Sequence, residues 1–144
     1  MRSSLKWSVA IIIPIFIIVV SIFIYNHSAS TKLNNTNSQN NEIVLTKNNQ
    51  QLGNYLTDLK GRTLYEYNKD TNSLSSCFGA CIVVWPPYET TVMPKNLPKG
   101  FSYIKRSDTG QFQYVLNGKP LYYYKLDTVG QIKGNLIGGF SIVN

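Results

Sequence analysis

The chain begins with a long apolar run. Between Trp7 and Tyr25 only two serines and one proline interrupt the apolar character, and no residue is charged. A helix needs about 20 apolar residues to cross the hydrocarbon core of a bilayer, whereas the apolar part of a cleavable signal peptide is about 7–15 residues long. The pattern therefore predicts an uncleaved transmembrane helix over residues 1–25.

The charges beside this run predict its orientation. Arg2 and Lys6 precede the apolar residues, and basic residues stay on the cytoplasmic side of a membrane. The N-terminus is expected inside and the rest of the chain outside. The alternative is cleavage near the small residues Ser28-Ala29-Ser30, which would release a secreted protein.

The next segment, residues 26–51, is rich in Asn, Ser, Thr, Gln and Lys. Such a composition buries too little apolar surface to offset the entropy of ordering the chain. We expect a flexible tether that spans roughly 25–30 Å. The alternative is that its one apolar cluster, Ile43–Thr46, forms an edge strand of the folded domain.

From Leu52 to Asn144 the pattern changes to short alternating runs between turn residues, which predicts one mainly β, antiparallel domain. In Thr63–Asn68, Leu64 lies on the same face as Glu66, and the neighbouring tyrosines lie on the other face. Leu121–Lys125 repeats this arrangement.

Turn residues divide the remaining strands. Phe101–Arg106 and Gln111–Leu116 flank a Ser-Asp-Thr-Gly turn and predict a hairpin. Asn117-Gly118 predicts a second tight turn, because this dipeptide favours the two-residue hairpin loop. Phe140–Val143 is the predicted closing strand.

One short helix is predicted near the two cysteines, over Ser76–Val84, since Pro86 prevents its continuation. Cys77 and Cys81 would lie on one helical face, and outside the membrane they are expected to form a disulfide. The alternative is a thiol pair that binds Cu(I) or cycles between redox states. The only histidine, His27, precedes the domain, so a Cys/His zinc site would lack ligands.

Two segments of the domain repeat the same pattern. Residues 61–71 read GRTLYEYNKDT and residues 118–128 read GKPLYYYKLDT, with six of eleven positions identical. The repetition predicts two related repeat halves, each with a tyrosine-bearing strand that ends in an Asp-Thr turn.

The repeated tyrosines and aspartates are the candidate ligand-binding residues. Rings on a common face would form an aromatic surface suited to sugars or to other planar or cationic ligands. The alternative is that the rings pack into the core and each aspartate caps its own turn through a backbone N–H. The candidates are Tyr65, Tyr67, Asp70, Tyr122, Tyr124 and Asp127.

Charge and composition add little chemistry. The formal net charge is +7, but the basic residues of the domain are scattered and lack the pattern of nucleic-acid modules, so no nucleic-acid partner is expected. Without a histidine the domain has no Ser-His or Cys-His pair, and no phosphate-binding glycine loop is present. We expect neither catalysis nor a cofactor.

These motifs together resemble a known family. The order of Tyr65-Glu-Tyr67 with Asp70, Cys77-Phe-Gly-Ala-Cys81, Trp85-Pro-Pro, the second tyrosine element and a late Gly-Gly is similar to the predicted lipoproteins with the Yx(FWY)xxD motif, also described as a secreted repeat of unknown function. The resemblance implies an extracytoplasmic, surface-tethered domain with paired motifs and no established activity. This chain departs from the family in its apolar anchor, where a lipidated cysteine is common, and in Ser141, where an aromatic residue is usual.

The sequence thus predicts a membrane-anchored, extracytoplasmic binding or structural module of the cell surface. Its expected partners are the membrane, through the N-terminal helix, and cell-wall or glycan components. The alternative function is that of a copper-binding or thiol redox protein.

Overall fold

The computed structural model describes residues 41–144. The predicted anchor of residues 1–25 and the first part of the predicted tether lie outside the described residues. Among the described residues, none of the helices is long and apolar enough to cross a membrane.

The described domain is mainly β, as predicted, with one short helix. All strand pairs are antiparallel. The elements are β1 (Leu45–Asn49), β2 (Gly53–Thr57), β3 (Tyr65–Tyr67), α1 (Ala80–Val84), β4 (Glu89–Thr90), β5 (Phe101–Lys105), β6 (Phe112–Leu116), β7 (Lys119–Tyr122) and β8 (Phe140–Ile142).

The strands form two sheets. β1 and β2 make a two-stranded hairpin, and the larger sheet has the order β4-β6-β7-β3-β8, with β5 paired to β6. β3 and β7, which carry the two copies of the repeated element, pair directly with each other, so that Tyr65 lies opposite Tyr122. The repeat therefore occupies the middle of the larger sheet.

Both predicted hairpins are present. β5 and β6 pair from Phe101 opposite Leu116 to Lys105 opposite Phe112. At the β6–β7 turn, Asn117 and Gly118 have φ values of 49° and 81°. Positive φ at both central residues is the geometry that suits the twist of a two-residue hairpin and that Asn-Gly adopts most readily.

The ordered domain begins earlier than Leu52. Residues of the predicted tether form β1, which pairs in register with β2 from Leu45 opposite Thr57 to Asn49 opposite Gly53. Leu56 of β2 donates its N–H to the carbonyl of Val143 at 2.9 Å and joins this hairpin to the main sheet. From Leu45 onward the tether prediction is corrected, and the alternative of an edge strand at Ile43–Thr46 is closer to the structure. Backbone pairing orders a segment whose side chains alone would not.

The helix is shorter than predicted. It covers Ala80–Val84 in place of Ser76–Val84, because Gly79 has a φ of 58° and a helix cannot continue through a left-handed residue. The predicted disulfide between Cys77 and Cys81 is present, with 5.3 Å between the two Cα atoms.

The core consists of two clusters, which agrees with the predicted alternation. Leu64, Leu121 and Val143 are buried in one cluster. Tyr65 and Tyr122 are buried in the other, which also contains the aromatic and sulfur-containing residues Cys77, Trp85 and Phe140. Neighbouring residues of β3 and β7 thus serve different clusters, as the period of two in a strand requires.

Removal of the disulfide tests how local its contribution is. The bond joins residues only four apart in sequence, so the entropy that it removes from the unfolded chain is small. For the variant Cys77→Ala/Cys81→Ala we expect the free energy of unfolding to fall by about 2 kcal/mol, as measured by urea denaturation. A loss of the cooperative transition would show that the bond organises the whole domain.

Candidate functional site

The two repeated tyrosine–aspartate pairs bond across the copies. The hydroxyl of Tyr65 donates to Oδ2 of Asp127, and the hydroxyl of Tyr122 donates to Oδ2 of Asp70 at 2.6 Å. Each copy thus supplies the carboxylate for the tyrosine of the other. Hydrogen bonds to an ionised acceptor are stronger than neutral ones, so these contacts join the two copies firmly.

The second oxygen of each aspartate closes a loop. Oδ1 of Asp70 accepts the N–H of Ser76 at 2.6 Å, and Oδ1 of Asp127 accepts the N–H of Lys133 at 2.8 Å. In both copies the donor lies six residues after the aspartate. The backbone-capping role that was considered for these residues is present, although each cap closes a loop of several residues and its other oxygen serves the opposite copy.

Burial limits the ligand prediction to half of the candidates. Tyr65, Tyr122 and Asp70 are each 0% exposed, so they have no surface with which to contact a ligand. Burial, followed by the hydrogen bond to the carboxylate, raises the pKa of both tyrosines. Tyr65 and Tyr122 are therefore neutral, buried tyrosines, each bonded to a carboxylate inside the protein.

The other three candidates keep part of their surface. Tyr67 and Tyr124 are half-buried and pack against the aromatic cluster. Tyr67 stacks on Phe140 with 4.2 Å between ring centroids, and Tyr124 lies 4.6 Å from Trp85. With Asp127, which is also half-buried, they remain candidates for contact with a ligand.

A buried arginine that charge counting overlooks holds the disulfide loop. Arg106 donates twice to the carboxylate of Asp108, at 2.8 and 2.7 Å. Its remaining N–H groups donate to the Ser75 hydroxyl, to the Gln113 side chain and to the Cys77 carbonyl. All five donors of the guanidinium are therefore used. The only sequence signal was an aspartate two residues after an arginine at the start of a turn.

The disulfide leaves no thiolate. Cys77 and Cys81 are the only cysteines of the chain, and they are bonded to each other. Thiolate, not disulfide sulfur, is the ligand that Cu(I) prefers, so copper binding would first require reduction. Among residues 41–144 there is also no group of three or more side chains of the kind that could hold a metal ion.

A cleft of about 240 Å³ opens beside the second copy. We call it the aromatic cleft; it is lined by Arg62, Pro86, Tyr123, Tyr124, Lys125 and Asp127. It brings two of the surface-accessible candidates, Tyr124 and Asp127, together with residues that the repeat pattern did not single out.

Two hydrogen bonds and a contact with an aromatic ring fix the position of Arg62 in this cleft. Its Nε donates to Asp58 at 2.8 Å, and its Nη2 donates to the Tyr123 hydroxyl at 2.8 Å. The guanidinium lies 3.9 Å above the centroid of the Tyr123 ring, within cation–π range. Although burial opposes ionisation of Asp58, the hydrogen bonds from Arg62 and Tyr123 lower the pKa of its carboxyl group.

The groups that face outward at the aromatic cleft are mainly cationic and aromatic. Arg62 and Lys125 are exposed, whereas both oxygens of Asp127 already accept hydrogen bonds. The Tyr124 hydroxyl and the Lys125 ammonium have no hydrogen-bond partner among residues 41–144. Because Arg62 covers the Tyr123 ring, Tyr124 is the ring that can contact a planar or saccharide ligand, and the free Lys125 ammonium can pair with an acidic group on it.

The crossed tyrosine–aspartate bonds can be tested by double-mutant cycles. We expect Tyr65→Phe and Asp127→Asn to show a coupling energy of about 1.5 kcal/mol in urea denaturation, because they remove the same charged hydrogen bond. Tyr65→Phe and Asp70→Asn share no bond and should be additive within about 0.5 kcal/mol. Equal coupling in both cycles would contradict the crossed arrangement.

The raised tyrosine pKa values predict weakening of the fold at alkaline pH. An unfolded tyrosine ionises near pH 10, whereas Tyr65 and Tyr122 stay neutral to higher pH in the fold. Their contribution to stability is therefore complete below pH 10 and is lost as the pH rises above it. We expect Tyr65→Phe to reduce this fall by up to about 1.4 kcal/mol per pH unit, measured by urea denaturation between pH 8 and 11. An unchanged slope would refute the assignment.

Comparison with known proteins finds one similarity, over part of the chain. Residues 48–88 match the family described as a secreted repeat of unknown function. The matched segment contains the first copy of the repeated element, the disulfide and the Trp85-Pro-Pro sequence. No curated protein and no solved structure matches the chain. Residues 48–88 are therefore similar to a family of secreted repeats of unknown function, and the description of that family indicates an extracellular location for its members.

Proposed function

We propose that the chain is a membrane-anchored, extracytoplasmic module that binds cell-surface glycan through the aromatic cleft. The observation that carries the proposal is the cleft itself, in which Tyr123 and Tyr124 share the lining with the exposed cations Arg62 and Lys125. The described groups suit binding better than catalysis, because Asp58 and Asp127 are held by hydrogen bonds within the protein.

The chemical groups of a sugar match those that line this cleft. Pyranose rings present C–H faces to aromatic rings and hydroxyl groups to polar neighbours, and a cleft of about 240 Å³ is large enough for about one sugar unit. The exposed ammonium of Lys125 and the guanidinium of Arg62 favour a sugar that carries a carboxylate or another anionic group. An acidic glycan is therefore the preferred ligand.

Two observations support the proposed location of the protein. The match to a secreted repeat family supports an extracellular place for the domain, and the apolar run before Tyr25, with Arg2 and Lys6 before it, supports a single membrane anchor with the N-terminus inside. The anchor and the tether, with the cleavage alternative at Ser28-Ala29-Ser30, belong to the proposal.

We also propose that the domain consists of two related halves. The support is the matching set of bonds in the two copies: each aspartate accepts one tyrosine hydroxyl from the other copy and one N–H six residues further along its own copy. The two halves then share one arrangement of hydrogen bonds, while their exposed residues differ.

Binding to an acidic oligosaccharide tests the proposed function. Full-length protein in detergent is titrated calorimetrically with tetragalacturonate and with a hyaluronan tetrasaccharide. We expect Tyr124→Ala to weaken binding about tenfold through loss of the ring surface. Lys125→Glu should weaken it about fivefold through charge reversal.

Two matched controls accompany these variants. Tyr67→Ala removes the ring at the equivalent position of the first copy, which does not line the aromatic cleft. Lys99→Glu makes the same charge change at an exposed residue outside the cleft. Both controls should bind like the unmodified protein, with near-UV circular dichroism as the check on folding. Absence of binding to both probes, or equal losses in variants and controls, would refute the proposed function.

A further inference from the structure

A second cleft lies at the position of the first copy that corresponds to the aromatic cleft. Because Tyr65 pairs with Tyr122, the next residues of the two strands, Glu66 and Tyr123, occupy equivalent places. Arg62 and Lys119 are likewise the second residues of the two repeated segments. At these two pairs of equivalent positions the side chains differ between the copies.

The flanking strand completes the correspondence. Tyr123 donates its N–H to the carbonyl of Pro86 at 2.7 Å, and Glu66 pairs with Ser141 of β8. Glu66, Lys119 and Ser141 all line a cleft of about 450 Å³, which we call the Glu66 cleft. They are the counterparts of Tyr123, Arg62 and Pro86 in the aromatic cleft.

The cation behaves differently in the two clefts. Arg62 is bonded to Asp58 and covers the Tyr123 ring. Lys119 turns to the backbone and donates its ammonium group to the carbonyl of Asp70. Within residues 41–144 no ion pair joins Lys119 to Glu66.

The carboxylate of Glu66 is therefore available to a ligand. The residue is half-buried, and its carboxylate has no hydrogen-bond partner in the part of the chain that the structure describes. A carboxylate at such a site gains from each hydrogen-bond donor that reaches it, because donors to a charged acceptor contribute more than donors to a neutral one.

Amide groups and apolar surface surround this acceptor. Asn117 and Asn135 line the same cleft, and the Asn135 amide oxygen accepts the N–H of Ile142 at 3.1 Å, so its NH₂ group remains a donor. Leu136, which also lines the cleft, is 80% exposed. A charged acceptor next to amide donors matches the vicinal hydroxyls of a sugar, and the leucine matches its C–H face.

We propose that the Glu66 cleft is a second glycan site, which takes a neutral saccharide through its vicinal hydroxyls. Glu66 is the acceptor for two neighbouring hydroxyls, and its charge disfavours an acidic sugar. The domain then holds two sugar units of different charge, one in each cleft. The site rests on the proposed function only in the general class of ligand, since its residues are separate from those of the aromatic cleft.

Calorimetric titration of the full-length protein with chitotetraose, a neutral oligosaccharide, tests this site. Glu66→Gln keeps the shape of the side chain and removes its charge, and we expect it to weaken chitotetraose binding about tenfold. The same variant should bind tetragalacturonate like the unmodified protein. Glu42→Gln makes the same change at an exposed residue outside this cleft and is the matched control.

The two probes separate failure of this site from failure of the aromatic cleft. Loss of chitotetraose binding in Glu66→Gln, with no loss in Tyr124→Ala, supports the second site even if acidic sugars do not bind. Chitotetraose binding that is lost in Tyr124→Ala and kept in Glu66→Gln overturns it, because one cleft would then take both ligands. Absence of chitotetraose binding to the unmodified protein overturns it as well.

Discussion

The crossed hydrogen bonds between Tyr65 and Asp127 and between Tyr122 and Asp70 are the constraint on which the rest of the domain depends. A fully buried carboxylate such as that of Asp70 is costly unless its oxygens are bonded, and a buried phenol likewise needs a partner. Each copy supplies the hydrogen-bond partner that the buried group of the other copy needs. The same aspartates also bond the backbone six residues later, so the pairing of β3 with β7 determines where both following loops begin.

Within the repeated pattern, some positions are buried in the core and others line the surface. The positions that repeat most closely, Leu64 with Leu121 and Tyr65 with Tyr122, are buried. Two of the five positions that differ, Arg62 with Lys119 and Glu66 with Tyr123, line clefts. A duplicated core can therefore keep its packing while its two outward faces acquire different charge and ring content. The folding cost is that contacts more than 50 residues apart must form, which slows folding relative to local pairing.

Much of the fold could be predicted from the sequence because its signals are local. Alternation in residues 63–68, the Asn-Gly turn and the four-residue cysteine spacing each specify a short piece of backbone, and the strands, the hairpin and the disulfide are present. The helix start was wrong because the pattern of residues 76–84 suits a helix and does not show the positive φ of Gly79. β1 was assigned to a tether because its order comes from pairing with β2, not from its own composition.

The candidate site was harder to predict, for a related reason. A sequence pattern ties Asp70 to its own turn, whereas its second partner, Tyr122, lies 52 residues away. Charge counting treats Arg106 as a surface residue, although its side chain is fully buried and its partners come from three separate segments. Glu66 and Tyr123 could be aligned from the sequence, but only the sheet register shows that they occupy matching clefts.

The bonds made by Arg106 also bear on how the disulfide loop is held. The guanidinium holds the Cys77 carbonyl and the Ser75 hydroxyl, and neither contact involves sulfur. These non-covalent bonds hold the Cys77 end of the disulfide loop independently of the sulfur–sulfur bond. Because Cys77 and Cys81 are the only cysteines in the sequence, oxidation within one chain can join only this pair.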